Sequence, residues 1–159
     1  MSMSMKLRMS GILILLLLGF GMLLTGCGRG TDPVKVEARE LSADEISAYF
    51  ARQGLELHSV VVHPENIFQG ELNGRKPLVF LLDEKELVIY QFATAGEREA
   101  GWADFEQHTA TADLVPYKAY QEQSLLVFYI HDEGMIGQEL YRQVEKTIPG
   151  LLELKADGA

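Results

Sequence analysis

The chain has 159 residues, with 14 lysines and arginines against 23 aspartates and glutamates, which gives a formal net charge of −9. Its 47% of hydrophobic residues are enough for the core of one ordinary domain, which argues against disorder. Its acidity and the lack of clustered basic residues argue against a nucleic-acid partner, because binding to phosphate backbones depends on such clusters.

Residues 1–26 have the architecture of a signal peptide. Lys6 and Arg8 make the start positively charged, and residues 11–24 form an apolar run of 14 residues. Roughly 20 apolar residues are needed to cross a bilayer, so a permanent transmembrane helix is the weaker interpretation. Removal of this segment would leave a more acidic chain, because the segment contains two basic residues and no aspartate or glutamate.

The segment Leu24-Thr25-Gly26-Cys27 resembles the lipobox of bacterial lipoproteins. The resemblance implies cleavage by signal peptidase II between Gly26 and Cys27, and a diacylglycerol on the Cys27 sulfur, with palmitate or a similar acyl chain. No other cysteine is present, so the exported part has no intramolecular disulfide to form. Two or three acyl chains would anchor the protein permanently, whereas one binds a membrane only marginally. The alternatives are an ordinary secretory signal followed by a free thiol, or an uncleaved anchor.

The lipid anchor would hold the protein on the extracytoplasmic face of a membrane. Gly28 follows Cys27, in place of the aspartate that retains many Gram-negative lipoproteins at the inner membrane. The protein would then lie on the outer face of a Gram-positive cell membrane, or face the periplasm from a Gram-negative outer membrane. Residues 27–40 comprise the lipidated cysteine and a charged stretch with Gly and Pro, which predicts a flexible tether with a reach of roughly 20 Å.

Residues 41–159 predict one folded domain, and its first half begins with a helix. Ser42 and Glu45 form a capping-box pattern at the helix start, and Gly54 is placed to end the helix. Residues 55–62 alternate and become β-branched, which predicts a strand. A long connection follows over 63–76, with a short irregular strand as one possibility over 67–72.

Two hairpins separated by a helix follow. Residues 77–82 and 86–92 are apolar on nearly both faces, which predicts two central strands. Thr94 and Glu97 form a second capping box, for a helix that runs to about His108. The second hairpin pairs residues 114–120 with 124–131.

The last helix is predicted over 136–147, with Pro149 and Gly150 as its stop. The resulting order is α-β-β-β-α-β-β-α. Strands joined mainly by short turns predict an α+β domain, with an antiparallel sheet of about five strands and about three packed helices.

The stretch Val88–Phe92 followed by Thr94–Glu99 resembles the layout of a strand and an acidic helix in several uncharacterised small lipoproteins of Gram-positive bacteria. The resemblance covers about 50 residues and implies no activity.

Sequence motifs for catalysis are missing. No serine lies in a Gly-x-Ser-x-Gly motif, and neither a P-loop nor a Gly-x-Gly-x-x-Gly pattern occurs. We therefore expect no catalytic residue, no cofactor and no enzymatic activity.

Histidines and carboxylates are the candidates for metal binding or acid/base chemistry. His58 and His63 are five residues apart, which would put them on opposite faces of a continued strand. No HExxH motif joins the histidines, so we expect separate histidines and no metal site. The carboxylates lie at turns and helix starts, where they complement the helix dipole or solvate the turn. The candidate metal ligands are His58, His63, His108 and His131, with Asp132 and Glu133. The candidate acid/base carboxylates are these last two and Asp83, Glu84, Glu86, Glu97 and Glu99.

Aromatic residues are the remaining candidates for a binding surface. Trp102 and Phe105 have helical spacing and are expected in the core, although Trp102 could also serve as a ligand platform. Tyr117, Tyr120 and Tyr129 lie on the second hairpin, where they could form an interaction surface or pack across the strands. We expect an interaction module for a protein or cell-envelope partner. The alternative is a lipoprotein that binds a small ligand or a metal.

Overall fold

The computed structural model describes residues 39–131 and 137–156. The predicted signal peptide, Gly26, Cys27, most of the tether, Asp132 and Glu133 lie outside the described residues. The described residues belong to one compact unit. Within the described part, no helix is both long and apolar enough to cross a membrane.

The described part of the chain contains three helices and five strands, in the predicted order. The strands form one antiparallel sheet in the order β1-β2-β3-β5-β4, so β1 and β4 are its edges. The predicted α+β class and element order are therefore confirmed. The elements are α1 (Ala43–Arg52), β1 (Leu57–Val60), β2 (Leu78–Leu82), β3 (Lys85–Gln91), α2 (Ala95–Thr109), β4 (Tyr117–Glu122), β5 (Leu125–Ile130) and α3 (Gly137–Ala156).

Both faces of the sheet are covered. Along β3, Leu87 and Ile89 belong to one core cluster and Val88 and Tyr90 to another, because successive side chains point to opposite faces. We call the first the α1/α3 face and the second the α2 face, after the helices that cover them. The fold therefore has three layers, with helices on either side of the sheet.

The predicted caps of the first two helices are confirmed. The Ser42 hydroxyl accepts a hydrogen bond from Glu45 N, and the Glu45 carboxylate accepts one from Ser42 N at 2.9 Å. At α2, the Thr94 hydroxyl accepts from Glu97 N at 3.1 Å. The Glu97 carboxylate accepts from Ala93 N at 3.0 Å, so the chain is held on both sides of the cap.

The predicted end of the last helix was wrong. Pro149 and Gly150 lie inside α3, which continues to Ala156. Proline removes one helical N–H, but the side chain of Pro149 is exposed, and the turn after it buries Leu151 completely in the α1/α3 core. Tertiary packing of this last turn outweighs the local preference to stop.

The connection between β1 and β2 is irregular, and β1 is shorter than the predicted strand over 55–62. No strand forms over 67–72; instead Leu72 makes an isolated antiparallel bridge with Arg75 across a turn whose Asn73 and Gly74 have positive φ. The Tyr90 hydroxyl donates to Phe68 O at 3.0 Å and to Gly70 O, and so fixes this connection on the α2 face.

Candidate functional site

The four histidines do not converge. Three of them are exposed, and each lies near a carboxylate of its own: His58 near Glu56 at 3.9 Å, His63 near Glu65 at 3.2 Å and His108 near Asp104 at 3.3 Å. The His131 ring stacks on Tyr129, with 5.9 Å between ring centroids. In the described ranges, no three His, Cys, Asp or Glu side chains are grouped to hold a metal ion.

The carboxylates in the described residues have structural contacts. Asp83 and Glu84 occupy the exposed turn between β2 and β3, both with positive φ. Glu86 accepts a hydrogen bond from the side-chain amide of the buried Gln69 at 3.0 Å. Glu97 caps α2, as described above, and Glu99 lies 3.4 Å from the Arg98 guanidinium. These contacts fit the expected roles in turns and helix starts.

The three tyrosines of the second hairpin do not share one surface, which corrects the expectation of a common tyrosine face. Tyr129 is completely buried on the α1/α3 face. Tyr120 packs on the same face, where its ring stacks on Tyr141 of α3 at 5.7 Å. Tyr117 belongs to the opposite face, in contact with the ring of Phe68 at 5.0 Å. Only Tyr117 and Tyr120 keep partial exposure, and cross-strand and helix packing accounts for both.

Trp102 also packs in the core. Its ring lies 5.6 Å from Phe105 and 6.2 Å from Phe128, on the α2 face. The core interpretation of Trp102 and Phe105 is therefore the one that the geometry supports.

A cavity of about 410 Å³ lies at one end of the sheet. The turn between β2 and β3 forms one side of it, and the start of β4 and the end of β5 form the other. Carboxylate, amine, imidazole and apolar groups all contribute, so the cavity is chemically suited to a small polar ligand. The lining residues are Glu84, Lys85, Glu86, Val115, Pro116, Ile130 and His131.

A smaller cleft of about 230 Å³ lies where the described chain begins, between Glu40 and Arg75. The Arg75 guanidinium is paired there with the Glu40 carboxylate at 2.5 Å. Gln91 closes the cleft: its side-chain amide accepts from Leu41 N at 2.9 Å and donates to Leu41 O at 2.8 Å. These groups satisfy one another, which favours a structural role for the cleft.

The clear pKa shifts of one lysine and two tyrosines belong to groups that lie in the core or pack against it. Burial raises the pKa of the Tyr90 and Tyr120 hydroxyls above the usual range of tyrosine. Burial lowers the pKa of the Lys155 ammonium, whose Nζ lies 3.4 Å from Phe92 O and 3.3 Å from Ser124 Oγ. None of these three groups lines either cavity. Their shifts therefore reflect packing and not a reactive centre.

The sequence analysis missed the free edge of β4. Lys118, Gln121 and Glu122 are exposed there, and the edge has a strand neighbour on one side only. Mixed polar composition in a strand next to the buried β5 was the signal in the sequence that could have identified it.

Comparison of the sequence with models of protein families gave no match. Searches among curated proteins and among solved structures gave no significant match either.

Proposed function

We propose that the chain is a membrane-anchored lipoprotein of the bacterial cell envelope, and that its α+β domain acts by non-covalent binding to a protein or envelope partner. The observation that carries the proposal is the segment Leu24-Thr25-Gly26-Cys27 at the end of a short apolar run. It predicts a lipid on Cys27 and an extracytoplasmic position for the domain.

The way in which the domain uses its polar side chains supports binding rather than catalysis. Glu45 and Glu97 cap helices, Gln91 holds the start of the domain, and Tyr90 holds the connection between β1 and β2. A catalytic centre usually combines a cleft with titratable groups of shifted pKa. In the described residues, the groups with strongly shifted pKa lie in the core.

Lipidation can be tested by inhibition of signal peptidase II in cells that express the chain. A lipid-modified precursor should accumulate, because cleavage before Cys27 follows lipid transfer. Metabolic labelling with a palmitate analogue should label the parent chain and not Cys27→Ser, a variant of nearly equal size. An unchanged precursor band, or equal labelling of Cys27→Ser, would contradict the proposal.

The binding function can be tested by chemical crosslinking in intact cells, followed by recovery of the tagged full chain. A defined crosslinked product should form with the parent chain and diminish with Cys27→Ser, which lacks the lipid that would position the domain at the membrane surface. Turnover of an envelope substrate by the purified chain would contradict the non-catalytic proposal.

A second candidate function is small-ligand or metal binding, favoured by the cavity of about 410 Å³ and its mixed lining. Zn²⁺ is the direct probe, because imidazole and carboxylate groups bind it. A rise in melting temperature with Zn²⁺ that is lost in His131→Ala, but kept in the exposed control His108→Ala, would favour this candidate. If Zn²⁺ did not raise the melting temperature, metal binding by this cavity would be contradicted.

A further inference from the structure

Among the described residues, strand β4 has a strand neighbour on one side only, so its outer edge is unpaired there. The hydrogen bond of 3.1 Å from His131 N to Pro116 O continues its pairing with β5 by one residue. Hydrogen-bonded and non-hydrogen-bonded pairs alternate in an antiparallel ladder, so every second residue from Pro116 onward directs its backbone groups toward β5. The residues between them direct their N–H and C=O groups away from the sheet: Tyr117, Ala119 and Gln121.

These outward groups have no backbone partner among the described residues. A row of unpaired N–H and C=O groups at a sheet edge is a template for pairing with another strand. The side chains of Lys118, Gln121 and Glu122 are exposed beside it. Gln121 Oε1 accepts a hydrogen bond from Arg98 Nη1 at 2.7 Å, so the edge offers an added strand its backbone groups and the side chains of Lys118 and Glu122.

The sequence of β4 is complementary to itself in one antiparallel register. When two copies are aligned around Tyr120, Lys118 of each copy lies opposite Glu122 of the other, and Tyr120 lies opposite Tyr120. The outward N–H and C=O groups of Ala119 in one copy then lie opposite those of Gln121 in the other copy, as in a hydrogen-bonded antiparallel pair. A shift of two residues keeps the backbone bonds but places Lys118 opposite Tyr120, so both opposite-charge pairs are lost.

The complementary side chains lie on a single face of the sheet. Lys118, Tyr120 and Glu122 point to one face of the sheet, because they alternate with the outward-bonding residues. The Lys118 ammonium lies 5.5 Å from the centre of the Tyr141 ring, on which Tyr120 also stacks. In non-hydrogen-bonded pairs the Cβ atoms are about 4.5–5.5 Å apart, within reach of a Lys–Glu ion pair.

The other edge of the sheet lacks this property. Strand β1 has only four residues, Leu57–Val60, and contains no lysine, arginine, aspartate or glutamate. Pairing of β1 with itself would therefore bring no opposite charges together. The complementarity is specific to β4.

We propose that two copies of this chain associate edge to edge through β4, in the antiparallel register centred on Tyr120, and so form one continuous sheet. Four backbone hydrogen bonds, from the two Ala119–Gln121 pairs, and two Lys118–Glu122 ion pairs join the copies. This inference concerns the domain alone and holds whether or not Cys27 carries a lipid.

Disulfide crosslinking tests the register. Two full-length variants, Lys118→Cys and Glu122→Cys, are given different tags, expressed together in the same cells and oxidised. A disulfide between the two variants is expected, because residues opposite each other in a non-hydrogen-bonded pair have Cα atoms about 4.5 Å apart, within the range that a disulfide spans. Either variant alone should crosslink far less, since its two cysteines would lie roughly 13 Å apart along the strands.

Two controls accompany this experiment. The parent chain, in which Cys27 is the only cysteine, measures crosslinking through that residue. Ser59→Cys places a cysteine on the β1 edge and should not crosslink above the parent. A mixed disulfide no stronger than that of the single variants would overturn the proposal.

Charge reversal tests the complementarity by a second measurement. Sedimentation of the purified full chain, in detergent at a low ratio of chain to micelle, gives the dimer dissociation constant. Glu122→Lys should weaken the dimer about tenfold, because Lys118 would then face a lysine in both pairs. The double exchange Lys118→Glu with Glu122→Lys should restore the affinity. A monomer at all concentrations, or equal affinity of single and double variants, would overturn the proposal.

Discussion

The two faces of the central sheet are closed by different means. On the α1/α3 face two helices supply aliphatic side chains and one phenylalanine to the core. The buried apolar residues of these helices are Ile46, Phe50, Val144, Ile148 and Leu151. The sheet below them is also mainly aliphatic, so this face is an ordinary packing of helices on a sheet.

The α2 face is closed by a single helix and the connection between β1 and β2. The fully buried positions of α2 are Gly101 and Phe105. Aromatic rings compensate for this small contribution, because each ring buries a large area and packs favourably against other rings. Phe128 lies at the centre, in ring contact with Phe68, Tyr90, Trp102, Phe105 and Tyr117. A helix with few buried residues can therefore cover one face of a sheet when aromatic rings from other segments fill the rest of the core on that face.

The largest expected effect is that of Phe128→Ala on the α2 face. The free energy of unfolding should fall by about 4 kcal/mol, through lost burial and a cavity at the centre of the ring cluster. Phe80→Ala is the matched control, since Phe80 is equally buried on the α1/α3 face but has no ring contact within the described residues. Denaturant unfolding should show a loss about 1 kcal/mol smaller for Phe80→Ala. Equal losses would contradict the special role of rings on the α2 face.

Two glycines that allow close approach should differ between the faces. A methyl group on Gly101 would lie 2.4 Å from Cζ of Phe92, whose ring is buried and cannot move away. A methyl group on Gly150 would meet the hydroxyl of Tyr49, which is half-buried and can rotate at the cost of its bond to Thr147 O. Gly101→Ala should therefore cost about 3 kcal/mol and Gly150→Ala about 1 kcal/mol.

The Gly150→Ala comparison has an internal check. Tyr49→Phe removes the clashing oxygen, so it should recover part of the stability lost in Gly150→Ala, as measured by thermal unfolding. A larger loss for Gly150→Ala than for Gly101→Ala would show that the α1/α3 face is the less adaptable one.

Neighbouring residues on β3 each hold an irregular segment over one face. Tyr90→Phe removes the donor to Phe68 O and Gly70 O on the α2 face, and Gln91→Met removes both bonds to Leu41 on the other face. Each change should cost about 1–2 kcal/mol, because buried polar groups lose their partners. Hydrogen exchange should accelerate in residues 63–76 for Tyr90→Phe and near residue 41 for Gln91→Met. The same exchange pattern in both variants would contradict separate anchoring.

The smallest expected effect is a dependence of stability on pH through Lys155. Burial lowers its pKa below the usual 10.5, so the unfolded chain binds more protons between the folded and unfolded pKa values. Stability should therefore rise with pH across that interval. Lys155→Met should flatten this rise in denaturant unfolding, and the exposed control Lys146→Met should not.

The element order could be predicted because its signals are local. Capping residues Ser42 and Thr94 mark two helix starts, and apolar runs separated by short turns identify the hairpins. The end of α3 could not be predicted locally, since the helix passes through Pro149 in order to bury Leu151 against other elements. Such a contact between distant segments leaves no mark in the neighbouring sequence.

The misplaced tyrosine surface has a different cause. Strand residues alternate between faces, so Tyr117 and Tyr120, three positions apart, had to lie on opposite sides once both belonged to one strand. The burial of Tyr129 depended on the position of β5 between β3 and β4, which follows from the crossing of the chain over α2 and not from any local pattern. The sequence therefore predicts on which face of its own strand a residue lies, but not which strands lie beside that strand.

The two hydrogen bonds between the Gln91 side chain and the Leu41 backbone determine how the domain would respond to a pulling force. Gln91 ends β3, the middle strand of the sheet, and its amide holds both backbone groups of Leu41 just before α1 begins. Tension applied from the N-terminal side would therefore enter the domain at its centre. The Glu40–Arg75 ion pair and the two hydrogen bonds between Gln91 and Leu41 would bear this tension before it reached α1 and β1.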